Sequence, residues 1–167
     1  MTRTLRRMRL AALAVAAATL LTGCVSWFEP VRAPTTSVPT GEQVPEPLQR
    51  FYHQVLTWSG CGDGLQCATA IAPLDWDNPA GDTIELALAR QYATSGEPQG
   101  SLLVNPGGPG GSGVNFVRDS IDFAVSETLQ KNFTIVGFDP RGVGRSTPVV
   151  CTANDAELDD YLYGIVD

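Results

Sequence analysis

Residues 105 to 113 read Asn-Pro-Gly-Gly-Pro-Gly-Gly-Ser-Gly. Glycine has no Cβ, so the backbone N–H groups of such a loop can approach a ligand closely. Ser101 to Val104, just before it, is a short apolar run bounded by glycine and proline, which predicts a buried strand. Just after it, Val114 to Lys131 places Val117, Ile121, Ala124, Val125 and Leu129 on one face, predicting a helix that Ser112 caps. A glycine-rich loop between a strand and a helix suits the stabilisation of negative charge. Backbone donors and the positive end of the helix converge there, and one placed donor contributes about 3 to 4 kcal/mol to a transition state in which an oxyanion develops. The run Gly108-Pro-Gly-Gly-Ser-Gly113 also fits the Gly-x-Gly-x-x-Gly pattern of a dinucleotide-binding turn, so spacing alone leaves both chemistries open.

The elements around the loop narrow the fold. Phe133 to Phe138 predicts a second buried strand, and strand, helix, strand of this length is a right-handed crossover between parallel strands. Upstream, Ala68 to Leu74 and Thr83 to Arg90 read as strands, the second with Ile84, Leu86 and Leu88 alternating with Glu85, Ala87 and Ala89. The turn chemistry of Asp77 to Asp82 between them makes an antiparallel hairpin. Leu48 to Trp58 predicts a short amphipathic helix, with His53 as a polar residue on it rather than a catalytic base. An antiparallel hairpin leading into a parallel sheet is the opening of an α/β fold.

The second strand runs into Asp139-Pro-Arg141-Gly142-Val-Gly144-Arg-Ser146. An acid at a strand end followed by an Arg-Gly turn is expected to fix the loop through hydrogen bonds and a charge pair, Asp139 with Arg141, and not to do chemistry itself. Ser112 and Ser146 each have a glycine two residues before them but none two residues after, so neither stands in a Gly-x-Ser-x-Gly elbow.

Three of these segments in order carry a family resemblance. Asn105-Pro106-Gly107-Gly108-Pro109-Gly110 and its continuation to Gly113 are similar to the oxyanion loop of proline iminopeptidase-like α/β hydrolases, in the form found in secreted actinobacterial tripeptidyl aminopeptidases. Asp139 to Ser146 resembles the Asp-x-Arg-Gly-x-Gly-x-Ser segment of the same family, and Cys67 to Trp76 followed by Asn78-Pro79 resembles its entry strand. The resemblance covers roughly Trp58 to Cys151. It implies the N-terminal part of an α/β-hydrolase fold, incomplete here, from a serine hydrolase that works as an exopeptidase on peptides with a free N-terminus and uses no cofactor. By position Gly108 would give its backbone N–H to the oxyanion. Pro106 replaces the family's histidine, leaving that backbone donor intact. The nucleophile, acid and histidine would all follow residue 167, and residues 24 to 167 alone are expected to be inactive.

Two rivals remain. The dinucleotide reading would use Asp139 as the ribose-binding acid, but Pro106 and Pro109 remove donors from the loop and the hairpin precedes the first parallel strand. A non-enzymatic, solute-binding lipoprotein would share the chain's N-terminal features without accounting for the two loops.

Those features are an export signal. Arg3, Arg6, Arg7 and Arg9 precede the apolar run Leu10 to Leu21, which is short for a membrane span. Leu21-Thr-Gly-Cys24 resembles a bacterial lipobox, so residues 1–23 are expected to be a lipoprotein signal and Cys24 the lipidated first residue, anchoring the protein on the outer side of the cell membrane; the alternative is a plain secretory cut that leaves Cys24 unmodified and the protein secreted. Residues 24–47, rich in proline and threonine, are expected to be a tether, and residues 48–167 the truncated hydrolase domain. Without the four signal arginines, seven of the 11 basic residues face 18 acids, a formal charge of −11 that argues against nucleic acid as a partner. Cys61 and Cys67 frame a glycine-rich loop and predict a small disulfide ring, which leaves Cys151 as the odd thiol. No metal-ligand spacing is evident. The acidic final residues, including Asp155, Glu157, Asp159, Asp160 and Asp167, are expected to form a solvated loop.

Overall fold

Alternation of small and large side chains builds the centre of the sheet. β3 (Gln66–Pro73) and β4 (Thr83–Gln91) pair antiparallel, with Ala68 opposite Leu88, Ala70 opposite Leu86 and Ala72 opposite Ile84. A methyl group facing a branched side chain at each of these pairs keeps one face of the hairpin apolar. The computed structural model describes residues 32–164, and the signal, Cys24 and the first part of the tether lie outside them. Within that range β1 (Thr35–Thr36), β2 (Thr57–Gly60), β3, β4, β5 (Gly100–Val104) and β6 (Phe133–Phe138) form one mixed sheet in the order β1-β2-β3-β4-β6-β5. Only β5 and β6 run parallel, as the crossover requires, and β6 joins the hairpin antiparallel to β4.

Three expectations are corrected. The helix expected over Leu48 to Trp58 is only α1 (Gln49–Tyr52), after a 3₁₀ turn at Glu46–Leu48. From Gln54 the chain turns extended, because the Gln54 side chain caps Phe51 O and bonds both backbone groups of Ile71, and Val55 and Thr57 are β-branched. The helix expected over Val114 to Lys131 is three pieces, α2 (Gly113–Asp119), α3 (Ile121–Ala124) and α4 (Glu127–Asn132). The breaks fall at Ser120 and at Val125-Ser126, yet Val117, Ile121 and Val125 stay buried on the sheet side. Buried Gln130 seals the gap by donating to Ile121 O and Val125 O, and Gln91 in turn donates to Gln130. Asp155, Glu157, Asp159 and Asp160 lie on α5 (Asp155–Tyr163) and not in a loop, and Asp167 lies outside the described residues; Asn154 caps the helix by accepting from Glu157 N, while Glu157 accepts from Ala153 N.

β5 is also less buried than its apolar sequence suggests. Among the described residues it is paired on one side only, and its side chains alternate between faces: Leu102 and Val104 pack on the core while Leu103, on the opposite face, is 63% exposed. The core, Leu65, Val117, Ile121, Val125 and Ile135, fills the space between the helical crossover and the sheet. At the far edge, part of the expected tether is seated on β2. Thr35 and Thr36 pair with Trp58 and Thr57, Ser37 exchanges hydrogen bonds with Leu56, and Arg90 donates to Thr35 Oγ1. β-branched residues between prolines make a short edge strand that needs no ladder bond from Pro34.

Candidate functional site

The loop from Asn105 to Ser112 leaves the carboxyl end of β5 and enters α2. Its backbone conformation depends on glycine: φ is 76° at Gly107, 135° at Gly108 and 86° at Gly110, values that a side chain would strain. The peptide between Gly108 and Pro109 is cis. Asn105 Oδ1 accepts from Gly107 N at 3.0 Å, and Gly111 N donates to Gly107 O at 3.1 Å, closing the loop on itself. Pro106 packs toward Gly111, where a Cβ would meet both Pro106 and Gly107 O. The Gly108 N–H has no intramolecular partner among the described residues and lies in the exposed part of the loop. An unpaired, exposed donor on a conformationally fixed turn is what a developing anion requires.

Beneath the loop lies Asp139, with no exposed surface. Its Oδ1 accepts from Ser112 Oγ at 2.5 Å and Val114 N at 3.1 Å, and its Oδ2 accepts from Arg145 N at 2.9 Å. Ser112 is also the N-cap of α2, accepting from Asn115 N at 3.0 Å. The Asp139 backbone is fixed too: its N–H donates to Ala87 O, and its O accepts from Ser146 Oγ at 2.6 Å. Burial opposes the charge on Asp139, but the bonds from Ser112, Arg145 N and Val114 N, with the nearby Arg145 charge, outweigh it and hold the carboxyl below the usual aspartate range.

The expected pair of Asp139 with Arg141 does not form. Arg141 instead donates to Leu74 O at 2.8 Å, tying the turn to the end of β3. Gly142 and Gly144 have positive φ, and a Cβ on Gly144 would collide with the Asp139 carboxylate, so glycine there allows the turn to wrap the acid. Ser146 is buried, donating to Asp139 O and accepting from Ala87 N at 2.9 Å, which makes it a latch between β6 and β4. Both local serines are therefore engaged by Asp139. At the α2 N-terminus Asp139 Oδ1 takes the Val114 N–H and Ser112 Oγ takes the Asn115 N–H, while the Gly113 N–H has no intramolecular partner among the described residues.

This network also removes the dinucleotide alternative's key residue. Every oxygen of Asp139 has a protein partner and none is exposed, so no ribose hydroxyl can reach it. His53 ends α1, exposed, with its ring 3.5 Å from Glu42 O, and takes no part in the site. Cys61 and Cys67 are joined in a disulfide and Cys151 is free and exposed. Among the described residues no group of three or more His, Cys, Asp or Glu could hold a metal, and no helix is long and apolar enough to cross a membrane.

Sequence reasoning missed Gly113 and Gly137, although both are visible as glycines beside the two motifs. A Cβ on Gly113 would strike Phe138 O, and one on Gly137 would strike Gly113 O and Val117. The pair lets α2 begin directly on β6, which brings Ser112 within reach of Asp139.

No family model matches the chain. Over 151 residues it is 38% identical to carboxylesterase B of Mycobacterium tuberculosis, a match covering 85% of this chain and 28% of that protein. It is 46% identical over 90 residues to the tripeptidyl aminopeptidase of Streptomyces coelicolor, covering 52% of this chain and 17% of the relative. With the serine protease Hip1 of Mycobacterium tuberculosis the identity is 44% over 100 residues, 58% of this chain and 18% of the relative. The chain thus spans less than a third of the length of each.

Proposed function

From its kinship with an actinobacterial α/β-hydrolase-like family, we propose that this chain supplies the oxyanion loop of a serine hydrolase. The observation that carries the reading is the unpartnered, exposed Gly108 N–H on a turn closed by the bonds of Gly107 N to Asn105 and of Gly111 N to Gly107. In the reaction a serine oxygen adds to the substrate carbonyl, its proton passes to a histidine, and the carbonyl oxygen becomes an anion that Gly108 N–H stabilises. Collapse of that intermediate expels the leaving group, which takes up the proton, and leaves an acyl-serine; water then attacks this ester through a second oxyanion, releasing the acid and returning a proton to the serine. Serines 112 and 146 are held by Asp139 and no elbow serine occurs in the 167 residues, so the serine, acid and histidine come from sequence after residue 167. A non-enzymatic, solute-binding role does not account for the kinship with proteins named as hydrolases.

The substrate is a peptide with a free N-terminus, cleaved as an exopeptidase would, in keeping with the name of the Streptomyces relative. A second reading, ester hydrolysis, is favoured by the relative that matches more of this chain, which is named a carboxylesterase. An oxyanion donor serves both. The protein is exported and held at the membrane by a lipid on Cys24, a reading that rests on the residues at the N-terminus.

The test is to express the reading frame through the sequence after residue 167, label it with a fluorophosphonate, and assay a tripeptidyl p-nitroanilide beside a p-nitrophenyl ester. Covalent labelling of a serine after residue 167, with turnover of the anilide, is expected. An unlabelled, folded protein would contradict the hydrolase reading, and turnover of the ester alone would replace the exopeptidase with an esterase.

A further inference from the structure

We propose that Ser112 and Asp139 are positioning residues for the oxyanion loop, with Ser112 Oγ as the joint that sets where Gly108 presents its N–H; this rests on the serine-hydrolase reading above. Residues Asn105 to Gly110 are all exposed, and a Cβ added at Gly107 or Gly110 would meet nothing within 4 Å, so packing does not locate the loop. Its place is set at its two ends. The entry is the end of β5 with the Asn105 to Gly107 turn. The exit is Ser112, whose hydroxyl accepts from Asn115 N and donates to Asp139 Oδ1, fixing helix and loop to the same buried carboxylate.

That carboxylate is itself immobile. Asp139 is bonded through its N–H to β4, through its O to Ser146, and through Oδ2 to the Arg145 backbone. Gly144 leaves room for Oδ2, and Gly113 lets the helix start close enough for Oδ1 to be reached. A chain of short bonds therefore runs from the sheet interior to Ser112, and Gly111, the next residue back, bonds Gly107 across the turn that carries Gly108. Loss of the Ser112 hydroxyl frees the loop exit without touching any group that meets substrate. An error of about 1 Å in such a donor lowers turnover by about 100-fold.

The experiment compares wild type, S112A and S112T in the full-length protein, with the p-nitrophenyl ester as substrate and thermal melting as a control. S112A is expected to lose about 10- to 100-fold in kcat at an assay temperature well below its melting point, with KM changed less than about 3-fold, and to react with the fluorophosphonate more slowly by a similar factor. S112T, which keeps a hydroxyl at the cap, is expected to recover most of the kcat. Wild-type kcat in folded S112A overturns the proposal, as does a loss that S112T leaves unrepaired. If S112A does not fold, S112G takes its place, which also lacks the hydroxyl but costs less at an N-cap, with the same split between kcat and KM expected and an unchanged kcat overturning the proposal. A wild-type protein that neither reacts with the probe nor turns over substrate removes the hydrolase reading itself, and this inference with it.

Discussion

Gly137 of β6 lies directly beneath Gly113, the first residue of α2, so closely that a Cβ on Gly137 would overlap the Gly113 carbonyl. This contact of two backbones sets the height of the helix over the sheet, and with it the reach from Ser112 to Asp139. Replacing Gly137 with alanine is therefore expected to destabilise the protein by about 1 to 3 kcal/mol, since backbone cannot yield as a side-chain tip can. Thermal or denaturant melting checks this; Gly100→Ala is the control, because its Cβ would make only ordinary contacts near Phe133. Equal stability of the two variants would contradict the contact.

Asp139 carries a pH signature. Its folded pKa is depressed, so the stability it contributes is fully present above the unfolded aspartate range, near 4, and is lost as pH falls through the lower folded value. The wild type is expected to lose stability over that acid interval, while Asp139→Asn, less stable at pH 7, flattens the curve there. Melting temperatures at a series of acid pH values decide it, and parallel curves for the two proteins would show that Asp139 titrates alike in the folded and unfolded states, against a network that favours its charge.

The ring closed by Cys61 and Cys67 brings buried Leu65 into the core beside Val117 and Ile121, and Asp63 on its rim lies 3.5 Å from Arg118 of α2. A loop of this length constrains the unfolded chain by about 2 kcal/mol in the chain-entropy account. The double variant Cys61→Ser, Cys67→Ser is expected to lose about that much, measured by urea unfolding. The ion pair is exposed and adds little. No loss of stability would mean that the ring does not constrain the fold.

Arg90 fastens the N-terminal segment. Its guanidinium donates to Thr35 Oγ1 and Gln66 Oε1 and stacks 4.3 Å from the Trp58 ring. Arg90→Ala is expected to cost about 1 to 2 kcal/mol and to release β1, so that trypsin cuts after Arg32 markedly faster. Unchanged cleavage kinetics would show that the segment does not depend on Arg90.

Much of this architecture is legible in the residues, and the parts that are not share a cause. The alternation in Thr83 to Arg90 and the apolar run of Phe133 to Phe138 report local backbone preference, and both are strands in place. The division of the crossover into three helices is hidden because Val117, Ile121 and Val125 keep one spacing across the breaks, while the compensating bonds to Ile121 O and Val125 O come from the side chain of Gln130, in the same segment, whose inward turn the spacing does not show. Asp139 reads as a structural acid, but its partner is misassigned to nearby Arg141. The residue that binds it, Ser112, precedes the strand, and only the fold brings the two together. Glycine at 113 and 137 is visible as composition, whereas the backbone contact that requires it is a tertiary fact.

The central claim, that Gly108 offers its N–H to an oxyanion, is tested most directly by a crystal structure of the full-length protein after reaction with a phosphonate. The account predicts phosphorus bonded to a serine after residue 167, with the phosphonyl oxygen about 2.7 to 3.1 Å from Gly108 N. A phosphonyl oxygen held by other donors, with Gly108 N beyond hydrogen-bond reach, would contradict it.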